Sequence, residues 1–292
     1  MAEPGLAATQ FGGGAVTLAH KKLMRKGLAM FAALIALVIV LFPVYAILVG
    51  SFETTTTLFS GNYYWLPHDP TLANYTAVFN EQTGHIVTSL IVGVGTALLA
   101  LVVAVPAAYA LSKYRLRVTV ILVSALIIAQ IVPSIVLATS LFIVFHWVHL
   151  LNTYPGLILA DGTYAIPFAI LVLRAFFFGL PNELLYAAKA DGATEWQTFR
   201  LVVIPLGRSA IVTVAVFAFL AGWGDFIFAL TVLNGSGIEP ITLGIYTYLG
   251  NYSTDWGAVM AAAAVALIPA GVLLVVAQRY IASGLTAGAV KG

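Results

Sequence analysis

The sequence predicts an all-α, polytopic membrane fold with six transmembrane helices. Three observations predict it: too few charges for a wetted surface, six apolar runs of bilayer length, and basic residues confined to alternate loops. Of the 292 residues, 61% are hydrophobic and 8% charged, against about 25% charged in a typical soluble domain. A soluble chain of this length needs a far richer shell of Lys, Arg, Asp and Glu, so lipid replaces water as the main solvent. The net charge of +2 is small and its Lys and Arg are dispersed, which argues against a nucleic-acid partner. No cysteine occurs, which removes disulfides, thiolate metal sites and thiol nucleophiles.

Apolar runs occupy 27–50, 86–111, 118–147, 154–178, 207–232 and 257–281, each long enough for the roughly 20 residues of a spanning helix. The first follows Lys21, Lys22, Arg25 and Lys26 but exceeds a signal peptide's apolar core, so it reads as a retained anchor. The first 20 residues lack helical periodicity, include Gly12-Gly13-Gly14, and read as an unstructured tail. Residues 1–26 are then an N-terminal tail, 27–283 the membrane domain and 284–292 a C-terminal tail.

Six spans put both termini on one side. All thirteen Lys and Arg then fall on that face or at its boundary: Lys21 to Lys26, Lys113 to Arg117, Arg174 to Arg208, Arg279 and Lys291. The opposite loops, 51–85, 148–153 and 233–256, carry Glu53, Asp69, Glu81, Glu239 and Asp255 instead. The positive-inside rule places the termini in the cytoplasm. Tyr63, Tyr64, Trp65 and Trp256 suit the outer headgroup zone. Pro43, Pro106, Pro133, Pro167 and Pro269 lie within spans, and the fifth span carries Gly222 and Gly224 instead; each is a candidate kink or close-approach point.

The longest cytoplasmic connection, 179–208, carries the most local order. Pro181 and Asn182 start a helix at Glu183, with Leu184, Ala187 and Ala188 on one face and Gly192 as a left-handed stop. Thr194 and Gln197 have capping-box spacing, and Trp196, Phe199 and Val203 form an apolar stripe ending near Pro205. The segment is a pair of short helices at the membrane surface, a knob for a cytoplasmic partner.

At these residues the chain resembles the membrane subunits of binding-protein-dependent ABC importers, whose loop reads EAA, two variable residues, DGA and later a hydrophobic-Pro pair. Here it reads Tyr186-Ala187-Ala188, Asp191-Gly192-Ala193 and Ile204-Pro205. Tyr186 stands where the family usually has Glu, with Glu183 as a partial substitute. Resemblance to the carbohydrate-importing, maltose-type inner permeases extends through Pro70-Thr71-Leu72-Ala73-Asn74-Tyr75, Ala107-Ala108-Tyr109-Ala110-Leu111, Gly222-Trp223-Gly224-Asp225-Phe226 and the ending Ser283 to Gly292.

The resemblance implies a type I ABC importer transmembrane domain that forms half of a solute pathway for a carbohydrate. It implies a second membrane permease subunit, two ATPase subunits and an extracytoplasmic solute-binding protein, with ATP and Mg²⁺ on the ATPase and no cofactor here. Glu183, Tyr186, Ala187, Ala188, Asp191, Gly192, Ala193 and Pro205 would couple to the ATPase. The outer segment 233–255, with Asn234, Gly235 and Tyr248, would reach the binding protein, although a solvated connector fits the same composition. Sequons at Asn74, Asn234 and Asn251 also fall outside.

No Lys follows a Gly, so a GxxxxGK[ST] phosphate loop is impossible on this chain. His146 and His149 form the one close histidine pair, without HExxH spacing, and suit a boundary better than a metal. No GxSxG motif supports a hydrolase. Asp225, deep in the fifth span beside Trp223 and Phe226, is expensive unless it faces water or a partner. Two readings are open: a pathway-facing acceptor for sugar hydroxyls, or a helix-packing hydrogen bond. Gln130 in the third span invites the same pair. An ion-coupled secondary transporter using Asp225 is the rival class.

Overall fold

The computed structural model describes the backbone of residues 13–60, 65–114, 118–235, 237–249 and 254–289, and side chains within these from 24 to 280. Tyr63, Tyr64, Arg115, Arg117, Asn251 and Lys291 lie outside the described residues. The described chain is helical, apart from one isolated bridge between Leu249 and Thr254. In order the helices are α1 (Gly13–Gly50), α2 (Thr55–Leu58), α3 (Ala73–Lys113), α4 (Thr119–Ile131), α5 (Ser134–Trp147) and α6 (Tyr154–Phe178). There follow α7 (Asn182–Ala190), α8 (Glu195–Thr198), a π-helical turn Phe199–Val203, α9 (Ile204–Leu206), α10 (Arg208–Trp223), α11 (Ile227–Val232), α12 (Ile241–Thr247) and α13 (Trp256–Ala289).

Among the described residues four helices, α1, α3, α6 and α13, are long and apolar enough to cross a membrane, and the number is six when each of two bent pairs counts as one span. The bent pairs are α4 with α5, at 101°, and the Glu195–Leu206 run with α10, at 76°. Outward faces are apolar as lipid demands: Phe31, Val38 and Phe42 of α1, Val102 of α3, and Ile268 and Val275 of α13 are all exposed. The centre is α3, which packs against α6, α10 and α13. Its contact with α10 is close because Gly93 faces Gly222. A Cβ on Gly222 would sit 2.8 Å from Thr96 Oγ1 and 3.2 Å from the Gly93 Cα. Small residues here let two backbones approach, which is how helices associate where no hydrophobic effect drives them together.

The structure differs from the sequence reading in several places. Residues 13–20 are helical and continuous with the first span, since no proline interrupts the run before Pro43. Residues 73–85, expected as outer loop, form the start of α3, with Val78 and Gln82 buried. The third span is broken at Pro133 and the fifth stops at Trp223, resuming only at Ile227. Of the five span prolines, Pro43, Pro106, Pro167 and Pro269 stay inside helices and Pro133 alone sits at a break. The presence of a proline therefore does not by itself decide a break.

The C-terminal end of the first span is pinned by the Pro70 to Tyr75 segment. Thr71 N donates to Phe52 O at 2.8 Å, and Asn74 Nδ2 donates to Ser51 O and Glu53 O at 3.0 and 2.8 Å. The Asn74 side chain is thereby committed to the backbone. Trp65 is exposed, and its carbonyl accepts from the Tyr45 hydroxyl.

Candidate coupling elbow and membrane cavity

Two sites emerge, at one end of the bundle and in its middle. The first is the α7–α8 elbow. Gly192 has φ +85, the left-handed value that spares glycine a Cβ clash. Gly192 N donates to Lys189 O and Ala193 N to Ala188 O, both at 3.0 Å. That bond pair is a Schellman closure of α7. Thr194 and Gln197 then make a reciprocal capping box: Thr194 N donates to Gln197 Oε1 at 2.7 Å and Gln197 N to Thr194 Oγ1 at 3.2 Å. Both predicted local signals are present.

Further contacts, missed from sequence, fasten the elbow. Lys189 and Glu195 pair across the Gly192 turn, and the Tyr114 hydroxyl donates to Glu195 Oε2 at 3.1 Å. Lys113 Nζ donates to Leu180 O at 2.8 Å and Asn182 Oδ1 at 3.0 Å. The hydrogen bond from Lys189 holds the Glu195 carboxyl below its ordinary value, and the same bond raises Lys189. The elbow also shares its apolar core with the bundle. Leu185, Phe199 and Val203 are buried with Ala108, Tyr109, Leu173 and Phe177, and Tyr109 lies 5.1 Å from the Phe199 ring. The conspicuous Ala107 to Leu111 segment is the seat on which the elbow rests.

Of the predicted stripe, Phe199 and Val203 turn inward while Trp196 is exposed. Leu184, Tyr186 and Trp196 are each exposed on the knob, as are Glu183, Ala187, Asp191 and Gly192, with Ala188 and Ala193 partly covered. The helical run does not end at Pro205, which is inside α9, but just beyond it at Gly207. The π turn precedes this proline, at a position where a lost backbone donor is commonly absorbed by local rewinding. Basic side chains gather at this end: Arg174 Nε donates to Leu111 O at 3.3 Å, and Arg208 and Arg279 lie over the Tyr280 ring.

The second site is a cavity of about 420 Å³ between α4, α5, α6, α10 and α11. Both helix breaks border it. Gln130 to Ser134 line one wall, Asp161 and Tyr164 of α6 another, and Ala221, Asp225 and Phe228 a third. Non-helical backbone at membrane depth is tolerated where it lines such a cavity. The structure thus brings Gln130 and Asp225 together. It does not bring Trp223, which is buried, stacks on Phe219 and donates Nε1–H to Ala266 O at 3.1 Å. Nor does it bring Phe226, whose ring meets Tyr246 at 5.5 Å.

Asp225 borders the cavity, and its carboxylate is engaged by local backbone. Its Oδ1 accepts from Phe228 N at 3.1 Å and its Oδ2 from Ala229 N at 2.8 Å, so it caps α11 after the break. Gln130 Nε2 donates to Tyr164 O at 2.9 Å and ties α4 to α6. Asp161 is the residue the sequence reading passed over, although a carboxylate inside the fourth predicted span carries the same signal as Asp225. It is 2% exposed, and its carboxyl has the Thr96 side chain of α3 as a hydrogen-bond partner.

In the loop after α11 Asn234 and Gly235 are exposed, the latter with φ +66. Asn234 N donates to Asn152 Oδ1 at 2.6 Å. Tyr248 is apart from them, packed against the cluster of Val78, Ala261, Ala262 and Val265. The His149 ring nitrogen contacts His146 O at 3.3 Å.

This architecture, a helical membrane bundle with a helical elbow on the outside of its core, is that of a transport permease. Residues 97–287 match the family described as binding-protein-dependent transport system inner membrane component, and the chain belongs to that family. It is 34% identical over 269 residues to the sulfoquinovosyl glycerol transport system permease protein SmoH of Agrobacterium fabrum, covering 91% of this chain and 94% of that one. It is 36% identical over 256 residues to the trehalose transport system permease protein SugB of Mycobacterium tuberculosis, covering 86% and 93%. The fold matches a crystal structure of a bacterial ABC transporter involved in the import of the acidic polysaccharide alginate. That match has TM-score 0.73 and 20% identity, over 94% of this chain and 100% of that one. The chain is therefore a permease subunit of an ABC importer, and family membership speaks against the ion-coupled secondary transporter.

Proposed function

We propose that this permease forms half of a carbohydrate pathway and takes its drive from a separate ATPase gripping the α7–α8 elbow. The observation that carries the reading is the elbow itself: closed at Gly192, capped at Thr194, clamped by Lys189–Glu195 and continuous in its core with the spans. An element fixed at both turns and packed into the bundle transmits a displacement as a rigid body. Closure of a nucleotide-bound ATPase dimer would push on Leu184, Tyr186 and Trp196, and the bend at Gly207 would pass that motion to α10. Glu183, Tyr186, Ala187, Ala188, Asp191, Gly192, Ala193 and Pro205 form this coupling segment.

The termini and the elbow then lie in the cytoplasm, as the basic end of the bundle supports. The partners are a second, similar permease subunit, two ATPase subunits carrying ATP and Mg²⁺, and an extracytoplasmic binding protein that meets the Asn234–Gly235 loop. Carbohydrate as cargo is supported by the trehalose and sulfoquinovosyl glycerol permeases among the relatives and by the hydroxyl-accepting cavity.

The test is reconstitution in proteoliposomes. Uptake of trehalose or maltose that requires ATP, the ATPase and the binding protein together supports the proposal. Uptake by this chain alone, driven by a pH gradient and abolished in Asp225→Asn, contradicts it.

A further inference from the structure

The rim of the bundle where α10 begins and α13 nears its end carries a basic pair that the elbow does not use. Arg208, the first residue of α10, and Arg279 of α13 place their guanidinium carbons 5.6 and 4.8 Å from the centre of one ring, that of Tyr280. Arg208 Nη2 also donates to the Tyr280 hydroxyl at 3.4 Å. Stacking on an aromatic face holds a guanidinium in place and leaves most of its N–H donors free. No carboxylate answers this charge. Helices α10 and α13 contain no Asp or Glu, and among the described residues neither arginine makes an ion pair. Two like charges held to one ring repel each other unless an anion joins them.

The surface leading to the pair favours a lipid as the source of that anion. Ile268, Val272, Val275 and Val276 are exposed, and their helical spacing puts them on the face of α13 that ends at Arg279. At 1.5 Å per residue the stripe from Ile268 to Arg279 is about 16 Å long, half of the roughly 30 Å hydrocarbon core. That is the depth of one leaflet, so an acyl chain lying along the valines brings its phosphate to the arginines. A free phosphate would engage the arginines and make no use of the stripe. We propose that Arg208, Arg279 and Tyr280, together with this exposed face of α13, form a binding site for an anionic phospholipid. The site is separate from the cavity and does not depend on which solute the permease carries.

The complete transporter, purified in detergent, is tested by native mass spectrometry and by photolabelling. Phosphatidylglycerol is expected to bind about tenfold or more tightly than phosphatidylcholine with the same chains, the scale of two basic contacts to a lipid headgroup. A phosphatidylglycerol with a photoreactive acyl chain should attach to this chain within residues 268–280. Arg208→Gln combined with Arg279→Gln should abolish the preference, whereas Arg200→Gln, which removes an exposed charge outside the pair, should leave it unchanged. Equal binding of the two lipids, a photolabel found elsewhere, or an equal loss in Arg200→Gln would each overturn the proposal. So would displacement of the lipid by inorganic phosphate at equal concentration, which would make the pair a site for the free anion. The comparison of the two lipids and the photolabel are made on the unaltered protein, so they decide the matter even if the double variant fails to fold.

Discussion

The elbow joins its short helices by closed, capped turns, whereas the cavity is bordered by two breaks in membrane helices. In the elbow both helix ends are closed: Gly192, Thr194 and Gln197 satisfy the turn, Lys189 and Tyr114 meet Glu195, and Lys113 holds Leu180 O and Asn182. At the cavity two helices stop short, and Asp161 is buried in its wall. A segment whose helix ends are closed is stiff and suited to carrying force. A space bordered by helix breaks is suited to receiving a ligand. Between them runs α10, rooted at Gly207 beside the elbow and ending at the break that Asp225 caps.

The comparison breaks most completely if the contact joining the two regions is removed. Gly222→Leu forces a side chain into Thr96 and the Gly93 backbone, an overpacking cost of about 3 kcal/mol. The folded, monodisperse fraction in detergent gel filtration is expected to be lost. Gly192→Val places a β-branched residue at φ +85, a strain of about 2 kcal/mol. It should cut ATP-driven uptake at least about tenfold while the protein still inserts, since the turn lies outside the buried core. Unchanged uptake would remove the stiff-elbow half of the comparison.

Asp225→Ala strips the acceptor from Phe228 and Ala229 N–H and should lower thermal stability by about 1–2 kcal/mol, the usual cost of a lost cap. Asp225→Asn keeps one acceptor and should lose less. Equal losses would mean that charge, not capping, holds α11. The smallest effect belongs to the exposed Lys189–Glu195 pair, whose double-mutant cycle should give a coupling smaller than any loss above. Its pH dependence has a definite sign. The Glu195 carboxyl is lowered in the folded state, so its contribution is present above the ordinary carboxylate pKa of about 4.3. It is lost as pH falls through the lowered value. Elbow order, read by hydrogen exchange at Ala193 and Thr194, should fall on acidification, and Glu195→Gln should abolish that dependence.

The elbow was legible because caps and turns are local: Thr194 and Gln197, or Lys189 and Gly192, are separated by one helical turn and follow fixed spacing rules. Spans were legible because lipid imposes a length and a polarity on each. What was not legible is long-range. Tyr114 meets Glu195 across 81 residues, and nothing near either announces it. Pro133 looked no different from Pro106 or Pro167, yet it alone marks a break. Asp161 carried a visible signal, a carboxylate in an apolar span, but its place at the cavity came only when α6 was set beside the breaks in α4–α5 and α10–α11. Trp223 and Phe226 adjoin Asp225 in sequence yet point elsewhere, since neighbours along a helix end face different directions.

The most direct test of the central claim uses the absence of native cysteine. Tyr186→Cys puts one thiol on the exposed face of α7, to be cross-linked in the assembled, transport-competent complex. The account predicts a disulfide or maleimide adduct between this position and the ATPase subunit, with a yield that changes when ATP binds. An active complex in which Cys at this position is labelled only from the outer side of the membrane, or never joins a nucleotide-hydrolysing partner, would contradict it.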